Sequence, residues 1–272
     1  MNLTQRLHDC HRTGRLAFMA HVYAGYPDAA FTRRLIDALA PAVDILELGI
    51  PYSDPLADGP VFQAACRRAL ENGVRPADVF HLAARLKPPG FHRPVVLTTY
   101  ANLVFQTGPA DFAARLALAG VQGLIVPDLP VDECGELHRA CVGAGVHLIQ
   151  LVAPTTPPAR LERILAAASG FVYLVSVAGV TGTDQDADTA LREQVARIRM
   201  RSDLPLLVGF GISRPEQAMA LQDVDGFIMG SAIARRVEPG RPADEVLADV
   251  ATFVRQFRGL PQRSGRGNGG EA

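Results

Sequence analysis

The 272-residue chain has a single lysine and four cysteines, and each scarcity excludes a class of function. Lys87 is the one lysine among 27 basic residues, and it stands before Pro88 and Pro89, where a helix must stop and a side chain is solvated. A lyase that works through a Schiff base needs a lysine amine inside its pocket, so that chemistry is not expected. Cys10, Cys66, Cys134 and Cys141 form no C-x-x-C pair and read as reduced, structural residues. None of the histidines (His8, His11, His21, His81, His92, His138, His147) falls in an HxH or HExxH pattern, which argues against a metal-dependent lyase. No run approaches the roughly 18 apolar residues of a membrane span, and the polar opening MNLTQRLHDCHRTGR lacks the apolar centre of a secretory signal. A cytoplasmic protein is expected. With a net charge of -1 it lacks the basic surface of a nucleic-acid or anionic-membrane binder, so small molecules are the expected partners.

What is present is apolar material for a substantial core: 48% of residues are hydrophobic against 20% charged. It is distributed in a steady alternation. Residues 1–14 predict an amphipathic helix with Leu3, Leu7 and Cys10 on one face, suited to plugging one end of a barrel. Strands are predicted at 18–23, 43–49, 95–100, 121–126, 146–152, 171–177, 205–210 and 226–230. Helical patterns follow at about 29–39, 60–70 with a restart after Pro76, 109–118, 132–142, 157–168, 187–199, from Arg214, and 243–257. Eight strand–helix units without a second core or linker predict a single (β/α)8 TIM barrel over residues 1–258, with an extra N-terminal helix. An open doubly wound sheet is the alternative, disfavoured because no GxGxxG follows the first strand. The Gly-rich residues 259–272 read as a disordered tail.

The chemistry concentrates in ILELGIPYSDPLADG (45–59). Glu47 interrupts an apolar strand, where an unpaired carboxylate costs free energy and has its pKa raised unless a partner compensates. The strand then breaks into a proline-rich loop carrying Ser53, Asp54 and Asp58. In a (β/α)8 barrel, groups at the carboxyl ends of strands share one face. Glu47, Asp58, Tyr100, Asn102, Asp128, Tyr173 and Thr181 are therefore expected to converge. Glycine turns at 179–182, 209–213 and 230–231 follow three consecutive strands, and their backbone N–H groups suit a phosphate dianion.

LELGIPYSDPLADGP (46–60) resembles the signature of the tryptophan synthase α subunit family. The similarity continues through YANLVF (100–105), PDLP (127–130), APTTP (153–157), YLVSVAGVTG (173–182), GFGIS (209–213) and GSAI (230–233). It implies retro-aldol cleavage of indole-3-glycerol phosphate to indole and glyceraldehyde 3-phosphate, in tryptophan biosynthesis, without metal or organic cofactor. It implies Glu47 as general acid/base and Asp58 as the acceptor of the indole N–H. The substrate pocket it implies is lined by His21, Thr98, Tyr100, Ile125, Leu151, Tyr173, Thr181 and Phe210. Gly182, Gly211, Gly230 and Ser231 match the phosphate site. Asp54, Pro55, Asn102 and Phe105 match positions where a β subunit docks, in an α2β2 heterotetramer.

The chain departs from the family at His21, where an aromatic ring is usual, and at Thr98, where Leu or Met is common. Both changes make the ring pocket more polar, and a substituted indole is the corresponding alternative substrate. The helix after strand seven is also about two residues shorter than the family pattern before DGFIMGSAI. Two further readings compete with the main one: a free-standing lyase releasing indole for a specialised pathway, and a catalytically silent phosphate-binding partner subunit. Isolated from the motif, Glu47 would be read as a structural acid paired with an arginine, Asp58 as a turn residue and Ser231 as a helix cap.

Overall fold

The computed structural model describes residues 1–86, 91–175, 184–209, 211–237 and 240–262, with no side chains described at 184–188. The order is α1 (Leu3–Arg12), β1 (Ala17–Tyr23), α2 (Ala29–Leu39), β2 (Ile45–Gly49), α3 (Pro60–Glu71), α4 (Pro76–Arg85) and β3 (Val95–Thr98). It continues with α5 (Ala101–Thr107), α6 (Pro109–Ala119), β4 (Gly123–Ile125), α7 (Gly135–Ala144), β5 (His147–Val152), α8 (Pro158–Ala167) and β6 (Val172–Val175). α9 (Asp184–Arg199), β7 (Leu206–Gly209), α10 (Pro215–Met219), β8 (Gly226–Met229), α11 (Ser231–Ala234) and α12 (Ala243–Arg255) complete it. The eight strands close in sequence order, all parallel, with β8 pairing β1. The (β/α)8 barrel expected from the alternation is the observed fold.

The two-residue period of each strand sorts its side chains into two cores. Phe18, Ala20, Leu46, Leu48, Leu97 and Leu124 point outward and pack under the helices. Ala17, Met19, Ile45, Val96, Ile125 and Ile149 point inward and fill the axis. Leu3, Leu7 and Cys10 of α1 join that inner cluster and close one end of the barrel, as their shared face predicts. Asn2 caps the helix by accepting from the Gln5 backbone N–H.

Several boundaries differ from the sequence expectation. β2 begins at Ile45 rather than residue 43, because the Asp44 carboxylate turns aside to accept from the Phe18 N–H (3.0 Å) and from Arg15 (2.8 and 2.9 Å). α5 is a helix where the sequence shows only a motif; the Asp128 carboxylate accepts from the Ala101 N–H at 2.9 Å and anchors its first turn. α7 starts at Gly135, three residues later than expected, and α9 starts earlier, at Asp184. α10 has only five residues, in line with the shortened segment before DGFIMG. Leu260, Pro261 and Gln262, expected in the tail, pair with residues 14–16: the Leu16 N–H donates to the Leu260 carbonyl and the Gln262 N–H to that of Gly14. Residues 263–272 and Lys87 lie outside the described residues, and among those described no helix is long and apolar enough to cross a membrane.

Candidate active site

β1, β2 and β3 lie side by side, and their register sets His21 opposite Glu47 and Gly49 opposite Thr98. All three polar side chains are at inward positions, and all three are buried. Glu47 is 1% exposed. Its Oε1 accepts a hydrogen bond from the Thr98 hydroxyl and lies 3.3 Å from Nδ1 of His21, while Oε2 has no partner. Burial pushes the Glu47 carboxyl up to about 8, offset in part by the Thr98 bond and raised further by the charge of Asp58. Burial pushes His21 down to about 3. At neutral pH the His21–Glu47 contact therefore joins two largely neutral groups and is no ion pair, whatever its distance.

Asp58 stands in the loop between β2 and α3. Its Oδ2 accepts from the hydroxyls of Tyr23 (2.6 Å) and Tyr100 (2.8 Å), two phenols from adjacent sides that fix the carboxylate's orientation. Burial raises its pKa, and the two hydrogen bonds work against that rise. No described cation lies within ion-pair distance of Glu47 or Asp58 except the neutral His21 ring. The pair thus offers a proton donor poised near neutrality beside a rigid acceptor, which is the equipment of general acid–base work.

Both acids open into a cavity of about 760 Å³ at the carboxyl ends of the strands. Ile125, Leu151 and Tyr173 line it. Tyr173 reaches across to β7: a Cβ on Gly209 would sit 2.3 Å from its hydroxyl, so glycine at 209 makes room for the ring. Gly211, Gly230 and Ser231 line the same cavity, and Gly211 has φ 77°, a conformation glycine adopts without strain. Tyr100 is not part of the cavity wall but meets it through Asp58. Thr181, Gly182 and Phe210 lie outside the described residues.

Residues 7–260 match the family model described as tryptophan synthase alpha chain. The chain belongs to this family. Tryptophan synthase alpha chains of Gloeobacter violaceus and Methanocaldococcus jannaschii are 44% and 39% identical to it. They match 93% of this chain each, and 92% and 90% of their own lengths. Among solved structures, a protein from Aquifex aeolicus VF5 superposes with a TM-score of 0.85 at 31% identity, covering 95% of this chain and 98% of that one. Aminoacrylate-bound tryptophan synthase from M. tuberculosis gives 0.83 at 33% identity, with coverages of 94% and 97%.

Within the tryptophan synthase alpha framework three side chains escape sequence reasoning. Tyr23 reads as strand core, and only the closed barrel brings it 2.6 Å from Asp58. Phe62 of α3 lines the cavity and packs on His21 with ring centroids 4.6 Å apart, so an aromatic face is present although position 21 itself is polar. Its place in PVFQ directly after the Asp58 loop is the available signal. Arg235 lines the cavity after α11 with no described carboxylate within ion-pair distance, whereas Arg160, also at the wall, is tied to Asp132 at 2.8 Å.

Of the docking positions implied by the resemblance, Asn102 and Phe105 lie on α5, and Asp54 and Pro55 in the loop after β2. The Asn102 amide donates to the Tyr52 hydroxyl at 3.2 Å, and Tyr52 stacks on Tyr100. Asp54 is exposed and accepts from the Ser53 hydroxyl, and Phe105 is 45% exposed. Pro55 differs: it is buried within the chain, while its neighbour Leu56 is 88% exposed and takes over as the projecting apolar group.

Proposed function

We propose that this chain catalyses the tryptophan synthase α reaction, cleaving indole-3-glycerol phosphate to indole and glyceraldehyde 3-phosphate, and that it works with a β subunit that consumes the indole. The observation that carries the reading is the pairing of a buried Glu47, free of any described cation, with an oriented Asp58 in one cavity with Gly211, Gly230 and Ser231. Breaking the bond at indole C3 requires a proton delivered to C3, a proton removed from the side-chain hydroxyl, and stabilisation of positive charge developing at the ring nitrogen. Glu47, raised to about 8, exchanges the protons. Asp58, held by two phenols, accepts the ring N–H and balances the charge.

The glycines and Ser231 take the phosphate through backbone N–H groups, and Arg235 adds a cation beside them. Thr181 and Phe210 are assigned to the substrate pocket, and Gly182 to phosphate binding, on the family resemblance alone. Leu56, Phe105 and Asn102 form the surface offered to the β subunit. The test is turnover of indole-3-glycerol phosphate by the purified chain, with and without a β subunit. Activity that rises strongly on adding the β subunit is expected; full activity of the chain alone supports a free-standing lyase. Glu47→Gln should lower cleavage by ~10²-fold or more with little change in phosphate-ligand affinity. Unchanged cleavage removes Glu47 from the mechanism.

A further inference from the structure

Glu47 has two oxygens in unlike surroundings. Oε1 meets the Thr98 hydroxyl and Nδ1 of His21, and Oε2 meets no hydrogen-bonding partner. Among the described residues five buried side-chain polar atoms lack a partner, and two of them, Oε2 of Glu47 and Nε2 of His21, belong to this one contact. A neutral carboxyl group places its proton according to its neighbours. An oxygen that already accepts from donors behaves as the carbonyl oxygen, and the proton goes to the other.

We propose that His21 and Thr98 are positioning residues for Glu47: both present donors to Oε1, and so hold the acid's exchangeable proton on Oε2. This rests on Glu47 being the acid of the proposed reaction. The polarity at positions 21 and 98 is then directed at the carboxyl group and not at the ring of the substrate. The Thr98 hydroxyl is committed to Oε1, and Nδ1 of the neutral His21 ring lies 3.3 Å from the same atom, where its Nδ1–H tautomer presents a donor. Phe62 supplies the aromatic face that position 21 does not. A carboxyl group with one oxygen pinned cannot spin its proton out of reach between turnovers, so the acid starts each cycle already oriented.

The groups facing Glu47 from the packed elements are His21 on β1, Thr98 on β3, Tyr173 on β6 and Asp58 in the loop after β2. Tyr173 stays protonated, its pKa raised well above the ordinary value by burial. Asp58 is common to all variants below, so changes in Glu47 titration report on Oε1.

The experiment is a ¹³C NMR titration of the ligand-free chain labelled at the glutamate carboxyl carbon, with Glu47 identified by the resonance lost in Glu47→Gln. Donors to Oε1 favour the ionised form, so Thr98→Val and His21→Phe should each raise the Glu47 pKa, by about one unit for Thr98→Val, and Thr98→Ser should restore it. If Glu47 instead donates its proton to Thr98 or His21, removing that acceptor lowers the pKa; a fall, or no change, overturns the proposal. Thr98→Ser keeps the hydroxyl and the fold, so a folding defect in Thr98→Val leaves the comparison readable. The titration needs no turnover, so it stands apart from whether the chain cleaves indole-3-glycerol phosphate. In the active enzyme, kcat should fall about 5- to 30-fold in Thr98→Val with KM changed less than about threefold, and the basic limb of its pH profile should move up with the NMR pKa.

Discussion

The two ends of the barrel treat buried carboxylates in opposite ways. Near the amino ends of the strands, Asp44 meets Arg15 at 2.8 Å and the Phe18 N–H, and Asp225 meets Arg199, the Leu206 N–H and the Gln262 amide. Each acid there has a guanidinium and a backbone donor, and each ties a strand to a neighbouring segment. At the carboxyl ends, Glu47 and Asp58 have hydroxyl donors and no described guanidinium. The same functional group is a fastener where its charge is matched and a proton carrier where it is not. Matching the charge would hold the carboxylate ionised and end its usefulness as an acid at neutral pH.

Removing a member of each end should therefore break different properties. Asp225→Ala leaves the part-buried Arg199 without its carboxylate and the buried Leu206 N–H without its acceptor; breaking a buried pair typically costs about 3–5 kcal/mol, and the 23% exposure of the Arg199 side chain puts this loss at the lower end. Urea unfolding should show that loss, while the folded fraction keeps its cleavage rate per molecule. A rate that falls with stability intact would merge the two ends functionally.

Glu47→Gln should do the reverse. The folded chain holds the Glu47 proton up to about 8, against an ordinary value of 4.5. Between those two values the unfolded chain has released a proton that the folded chain retains, so wild-type stability declines as pH rises through this window. Glutamine carries no such penalty. Glu47→Gln should match the wild type near pH 4.5 and become more stable by roughly 2–5 kcal/mol at and above pH 8. Denaturant midpoints across that range check it, and a constant gap would mean that Glu47 ionises normally.

Tyr23→Phe is the gentlest cut. It removes one of two donors to Oδ2 of Asp58 and leaves Tyr100 in place. A hydrogen bond to a charged group contributes about 1.5–3 kcal/mol, and part of it is recovered by the remaining phenol. Cleavage should fall about 3- to 30-fold, less than in Glu47→Gln, with the Asp58 pKa moved upward. A loss as large as that of Glu47→Gln would make Tyr23 part of the proton-transfer machinery.

Much of this architecture is legible in the sequence. Eight apolar strand patterns, each followed by a 3.6-residue period, lead to a closed barrel, and the barrel rule then gathers Glu47, Asp58, Asp128 and Tyr173 at one mouth with Gly211, Gly230 and Ser231. What escapes depends on register and on side-chain reach. The His21–Glu47 contact follows from the one-to-one pairing of β1 and β2, which no local pattern states. Tyr23 reads as core because a tyrosine on a strand normally is core. Asp44 reads as part of β2 because nothing local reveals Arg15, 29 positions away, which turns it aside. Pro55 shares a motif with the docking positions, but a proline in a tight loop can as readily face inward, and Leu56 faces out.

The helix plug makes the chamber blind-ended. Leu3, Leu7 and Cys10 fill the axis at that end, so the cavity is reached from the side of the strands' carboxyl ends. A molecule cleaved beside Glu47 and Asp58 therefore sends its fragments out past the strands' carboxyl ends and not along the barrel axis.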